Sequence, residues 1–185
     1  ALAYVTPVLP GFKKPFREEV GNLIKDNAPD EAKQLWQKGL EELGLTEPPK
    51  ISFLSGDDDI AKRDAAAFQE AWRRNLGIEV EIITVPFKAR LQKMTDKDFQ
   101  MVYAGWGPDY NDPNTFLDVF MTGSGNNHTS FSNETYDKYI EDAKKETDPK
   151  KRMELFYEAE KLLMEEMPIA PIYFRVRDWT AYPNV

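Results

Sequence analysis

The spacing of apolar positions changes several times along the chain, and each change marks an element. Ala32, Leu35, Trp36, Leu40 and Leu43 recur at helical spacing behind Asn27-Ala28-Pro29-Asp30. An Asn cap, an early Pro and an acidic first turn all suit the free amides of a helix start, and Gly44 supplies the stop. Residues 51–54 form a short apolar run that reads as a strand. After the acidic turn Asp57-Asp58-Asp59, Ala61, Ala65, Phe68, Ala71, Trp72 and Leu76 predict an amphipathic helix that Gly77 closes. Ile78, Val80, Ile82 and Thr84 then alternate with Glu79, Glu81 and Ile83, the period of a strand. A third helix is expected over residues 86–95, carrying Phe87, Leu91 and Met94, before a strand over residues 99–103. Strands alternating with helices predict an α/β fold with a mostly parallel or mixed sheet flanked by helices.

The flanks follow other patterns. Residues 1–11 are apolar but broken by Pro7 and Pro10, and residues 12–28 show no clean period, which predicts an irregular covering segment. A short helix is expected over residues 114–120 and a longer one over 133–147, with Tyr136, Tyr139, Ile140 and Ala143 on one side. Asp148-Pro149 starts another by cap followed by proline, with Phe156, Ala159, Leu163 and Met167 as its stripe. Residues 169–176 read as a final strand in which Pro171 assigns an edge or a ladder interruption. The last residues, 179–185, keep aromatic side chains that suit docking on further material or an ordinary packed tail.

Composition narrows the classes of function. A length of 185 residues suggests one domain with a real core. Lys and Arg number 24 against 32 Asp and Glu, a formal charge of -8 that repels a phosphate backbone, so nucleic acid is not the expected partner. No run approaches the roughly 18 apolar residues of a spanning helix, so this segment is not expected to enter a membrane. The first residues lack the order of a signal peptide, and any export signal or lipid anchor is expected outside the sequence. With no cysteine and one histidine, the chain offers no disulfide, no thiol chemistry and no zinc cluster; no metal or cofactor is expected.

Candidate chemistry concentrates in residues 101–113, where an apolar run stops at Trp106 and opens into a turn punctuated by Gly105, Gly107, Pro108 and Pro113. Asp109 and Asp112 lie in that turn. A carboxylate at a strand terminus can pair with an ammonium group, but Asp also caps turns and helix starts. Trp106 supplies either a pocket wall, with Gly107 letting a ligand approach the backbone, or a core aromatic. Tyr110 and Asn111 offer a hydroxyl and an amide to polar ligand groups, or face water. His128 reads as a hydrogen-bonding loop residue in surroundings that permit ligand contact. Asp57-Asp58-Asp59 lacks calcium-loop spacing and reads as a capping cluster. No phosphate loop or nucleophile elbow is present. An acid/base pair of Asp109 and Asp112 would suit glycoside chemistry, yet nothing in the sequence sets their separation, so binding ranks above catalysis. A protein-contact surface of Trp and Tyr residues is a further alternative.

Residues 105–113, Gly-Trp-Gly-Pro-Asp-Tyr-Asn-Asp-Pro, followed by Thr115-Phe116-Leu117, resemble the strand-end pattern of the oligopeptide- and dipeptide-binding receptors of bacterial ABC importers. Leu9-Pro10-Gly11, the stretches 31–44 and 72–78, Asn126-Asn127, Tyr136-Asp137-Lys138, Glu158-Ala159-Glu160 and 168–173 continue the same order. The resemblance implies a periplasmic-binding-protein-like lobe, the peptide-enclosing half of a larger two-lobe receptor whose other lobe is absent. It implies Asp109 as the partner of a peptide ammonium, with Trp106, Gly107 and Tyr110 lining the same part of the cleft. Asp112 and Pro113 would shape the turn. The implied activity is extracytoplasmic peptide binding without catalysis, for delivery to the membrane subunits of a permease, from the periplasm or a lipid-anchored position. Other solutes, such as a metal complex or a sugar, remain alternatives within the same resemblance.

Overall fold

The computed structural model describes residues 1–176 and Thr180. In chain order its elements are α1 (Phe16–Val20), α2 (Pro29–Glu42), β1 (Ile51–Gly56), α3 (Asp59–Leu76), β2 (Val80–Val85) and α4 (Phe87–Thr95). Then follow β3 (Met101–Val102), α5 (Asn114–Leu117), a 3-10 turn (Asp118–Phe120), α6 (Glu134–Lys145) and α7 (Pro149–Glu166). Where length suggested one domain, the chain divides into two units, each with its own buried cluster. One comprises Asp26–Gly107 and Gly123–Ser130; the other comprises Ala1–Lys25, Pro108–Thr122 and Phe131–Val185.

The first of these holds the sheet. Its order is β2-β1-β3 and both pairings are parallel, with Ile51 opposite Val80, Phe53 opposite Met101 and Leu54 opposite Val102. The Asp58 carboxylate caps α3 by accepting from the Ala61 amide at 3.0 Å, and Gly77 ends it at φ 70°, a left-handed turn that glycine adopts without a Cβ clash. Phe53 meets Phe68 and Trp72 of α3 edge-on, with ring centroids 6.2 and 5.3 Å apart. Ala61, Ala65, Ile78 and Val80 complete this core.

Three details depart from the sequence reading. Strand β3 has two residues instead of five, because the Gln100 side-chain oxygen takes the Ser52 amide at 2.7 Å where a ladder bond would stand. Asn27 does not cap α2: it sits at φ 52°, and Ala28 occupies the cap without a side-chain bond. Leu35 of α2 and Leu43 at its C-cap, with Phe87 and Leu91 of α4, are exposed, so helical period located these helices without fixing the buried stripe.

The other unit is helical. Asn133 caps α6 by accepting from Thr135 and Tyr136 amides, and Asp148 caps α7 by accepting from those of Lys150 and Lys151. Tyr136, Ile140, Phe156 and Leu163 are fully buried with Phe116, Leu117 and Phe120 of the short helix and turn. Residues 1–25 are more ordered than expected, with α1 and a bridge between Pro10 and Pro15, and they bury Val5, Leu9 and Phe16. Glu160, fully buried on α7, accepts from the Tyr4 and Val5 amides at 3.0 and 2.7 Å and pairs with Arg17. No strand forms over residues 169–176: Pro168 and Pro171 have no N–H to give a ladder, and Ile172, Tyr173 and Val176 are exposed. Apart from Thr180, the aromatic run 179–185 lies outside the described residues.

Candidate functional site

The order β2-β1-β3 places a reversal between β1 and β3, because the chain leaves β1 toward one side and returns past it to the other. In open α/β sheets, ligands sit outside the carboxyl ends of strands at such a point. The residues there are Gly56 with the Asp57–Asp58 turn after β1, and Tyr103 through Gly107 after β3. Tyr103 is held on all three polar atoms. Its amide donates to Leu54 O at 2.8 Å, its carbonyl accepts from Arg90 Nη1 at 2.8 Å, and its hydroxyl donates to Asp64 at 2.9 Å. From this anchor the chain emerges into water, with Ala104 through Gly107 exposed and Trp106 presenting 36% of its surface. His128 lies in the same unit, half-buried, on a loop that the Lys97 ammonium ties down at Ser130, 2.7 Å away.

The boundary between the units falls between Gly107 and Pro108, so Asp109, Tyr110, Asn111, Asp112 and Pro113 belong to the helical unit. There the two candidate carboxylates part company. Asp112 is gripped by Arg152 through two bonds of 2.7 and 3.0 Å, and it also accepts from the Asn114 amide at 2.9 Å. That fork consumes its charge and ties the turn to α7. Asp109 is exposed; its backbone amide is fixed by the Thr115 hydroxyl at 3.0 Å, while no cation among the described residues pairs with its carboxylate. Pro113 is buried and Asn111 exposed.

Tyr110 is 48% exposed, yet its hydroxyl is tethered by Asn114 Nδ2 at 2.7 Å. The same amide nitrogen donates to Asp118 at 3.0 Å, and Asp118 faces the Lys144 ammonium at 3.8 Å. Burial raises the Tyr110 phenol pKa, the Asn114 bond opposes this, and the nearby carboxylates of Asp118, Asp112 and Asp109 raise it further. Burial likewise raises the Asp118 carboxyl pKa against the pull of Lys144. Asn114, Asp118 and Arg152 escaped the sequence reading. The i, i+4 spacing of Asn114 and Asp118 on a short helix was a usable signal, whereas Tyr110 in the preceding turn, and Asp112 and Arg152, forty residues apart, gave none.

A surface cavity of about 320 Å³ lies elsewhere, lined by Ser52, Leu54, Ile83, Lys93, Lys97 and Phe99, and contains none of the candidate residues. No group of His, Asp or Glu among the described residues is arranged to hold a metal ion.

A parallel sheet flanked by helices, with its chain reversal at β1 and β3, makes this a periplasmic-binding-protein-like α/β lobe. The family model for bacterial extracellular solute-binding proteins, family 5 Middle, matches residues 1–128. The chain belongs to that family. It is 36% identical over its whole length to the oligopeptide-binding protein OppA of Bacillus subtilis (strain 168), covering 34% of that protein. It is 41% identical, over 85% of its length, to a dipeptide-binding protein of Lactococcus lactis subsp. cremoris, covering 29% of it. Among solved structures, the oligopeptide ABC transporter substrate-binding domain of Bacillus anthracis superposes with a TM-score of 0.82 at 35% identity, over 90% of this chain and 33% of the other. Listeria monocytogenes OppA bound to peptide matches with a TM-score of 0.76 at 35% identity, over 88% of this chain and 31% of the other. The chain thus spans about a third of the length of the curated relatives it matches.

Proposed function

We propose that this chain is the peptide-enclosing lobe of a larger two-lobe receptor that binds oligopeptides or dipeptides outside the cytoplasm. The receptor would work from the periplasm or from a lipid anchor and hand its ligand to an ABC-type import permease. The observation that carries the reading is the contrast between two neighbouring carboxylates: Asp112 is neutralised by Arg152, and Asp109 stands exposed with only its backbone fixed. A carboxylate held this way can take an ammonium group, which every unmodified peptide carries at its first residue. In the helical unit, Tyr110 and Asn111 are the further contacts we assign beside Asp109, through polar side chains; in the sheet unit, Trp106, Gly107 and His128 are assigned by themselves, through a flat aromatic wall, close backbone approach and an imidazole. The names of the relatives, an oligopeptide-binding and a dipeptide-binding protein, support the same ligand class.

No bond is made or broken in this function; the receptor would close over its ligand and the closed form would be presented to the permease. The test is calorimetry on the full-length receptor with trialanine and N-acetyl-trialanine. Asp109→Asn should lose roughly 2 kcal/mol or more for the free-amino peptide, the scale of truncating a buried charged pair. Equal affinity of the unaltered receptor for the two peptides would sink the assignment.

A further inference from the structure

The side-chain amide of Asn114 can be oriented by chemistry alone. One of its ends faces Asp118 at 3.0 Å, and a carboxylate only accepts, so that end is the NH2 group. The second N–H of the same nitrogen then meets the Tyr110 hydroxyl oxygen at 2.7 Å. A phenol oxygen that accepts a hydrogen bond keeps its own proton for another partner. No described residue takes that proton, and the ring is 48% exposed. The arrangement has a cost, since Asn114 is 8% exposed and its Oδ1 is buried without a hydrogen-bond partner. An orphaned buried acceptor is destabilising, so the amide is held in an orientation that packing alone would not favour.

We infer that Asn114 is a positioning residue which, locked by Asp118, turns the Tyr110 hydroxyl outward as a hydrogen-bond donor beside Asp109. The site then reads two features together: an ammonium, and an acceptor oxygen next to it. In a peptide that acceptor is the carbonyl of the first residue. This rests on the peptide reading of Asp109 and adds to it a reason for preferring α-amino acyl ligands over simple amines. All four groups, Asp109, Tyr110, Asn114 and Asp118, lie within a stretch of ten residues and in one unit. The turn that carries the donor also carries the carboxylate.

The probes are trialanine and its analogue with a trans-alkene in place of the first amide, which keeps the shape and the ammonium but has no carbonyl. The unaltered full-length receptor should prefer trialanine by about tenfold, the scale of one hydrogen bond. Tyr110→Phe should abolish most of that preference. Asp118→Asn, isosteric and at a partly exposed position, frees the Asn114 amide to flip, so that Oδ1 captures the phenol proton; the preference should fall here too. Adding Asp118→Asn to Tyr110→Phe should lower it no further, which a merely structural role for Asp118 would not predict. A Tyr110→Phe receptor that keeps the full preference overturns the inference while leaving the Asp109 reading intact. An unaltered receptor that binds neither probe overturns both.

Discussion

Arg152 illustrates how one side chain divides the labour between two acids. Its two nitrogens take both oxygens of Asp112 at 2.7 and 3.0 Å, and its guanidinium lies 4.7 Å from the Phe156 ring centroid. Arg152→Met keeps much of the stem but leaves Asp112 without its cation. The expected cost is about 1–3 kcal/mol, the range for losing a charged hydrogen-bonding partner, measured by urea denaturation. An unchanged midpoint would show that the fork contributes nothing to stability. Gly11 is a second instance of close approach: a Cβ there would lie 2.5 Å from Glu19 Oε2 and 2.6 Å from the Lys14 carbonyl. Gly11→Ala must therefore displace backbone, with an expected loss of about 1–3 kcal/mol in the same measurement. Neither contact has a local signature, because each depends on where a distant or folded-back residue ends up.

Among the elements, α3, α6 and α7 start where short polar side chains announce them. Asp58, Asn133 and Asp148 each accept from amides of the first turn, as cap chemistry dictates. Asp148→Ala should cost about 1 kcal/mol, seen as a lower thermal midpoint, and Asp148→Ser should recover most of it; equal loss in both variants would argue against capping. The elements misjudged from sequence are those decided by neighbours. The extended-favouring residues 99–103 suggest a full strand, but Gln100 supplies from its side chain what the ladder would have supplied from the backbone. Residues 169–176 have strand composition and two nearby prolines, and without a described partner strand they stay irregular. β-Propensity describes a fit to a neighbouring strand, so it cannot create one.

At the scale of the whole chain, acid stability has an identifiable contributor. The Glu19 carboxylate accepts from the Phe12, Lys13 and Lys14 amides at 2.8, 2.7 and 3.0 Å and from the Tyr157 hydroxyl. Partial burial acts to raise its pKa, but the Tyr157 bond and the three amides outweigh it, bringing the value from the ordinary 4.5 down to about 2. A depressed carboxyl pKa stabilises the fold above 4.5, and that contribution is lost as pH falls from 4.5 through 2. The gap in thermal midpoint between the unaltered chain and Glu19→Gln should accordingly be widest near neutral pH, narrow from pH 4.5 downward and close only as pH falls through about 2; a gap independent of pH would refute this linkage. On the proposed reading, half of the enclosing surface belongs to another lobe, so the isolated chain should bind trialanine weakly, and tight binding in calorimetry would contradict it. Sequence by itself determined the order of strands and helices from α2 to α7, the caps at Asp58 and Asp148, and the turn that follows β3, because period, capping and turn chemistry act over a few residues. It also exposed the family likeness, which lies in the order of short motifs. Tertiary structure alone decided that two cores form instead of one, that Glu160 is buried against Arg17, and that α2 and α4 leave apolar residues outside. It alone separated Asp112, held by Arg152, from Asp109, left to the solvent. The two residues look alike in the chain, and only the arrival of α7 beside one of them makes their electrostatics differ.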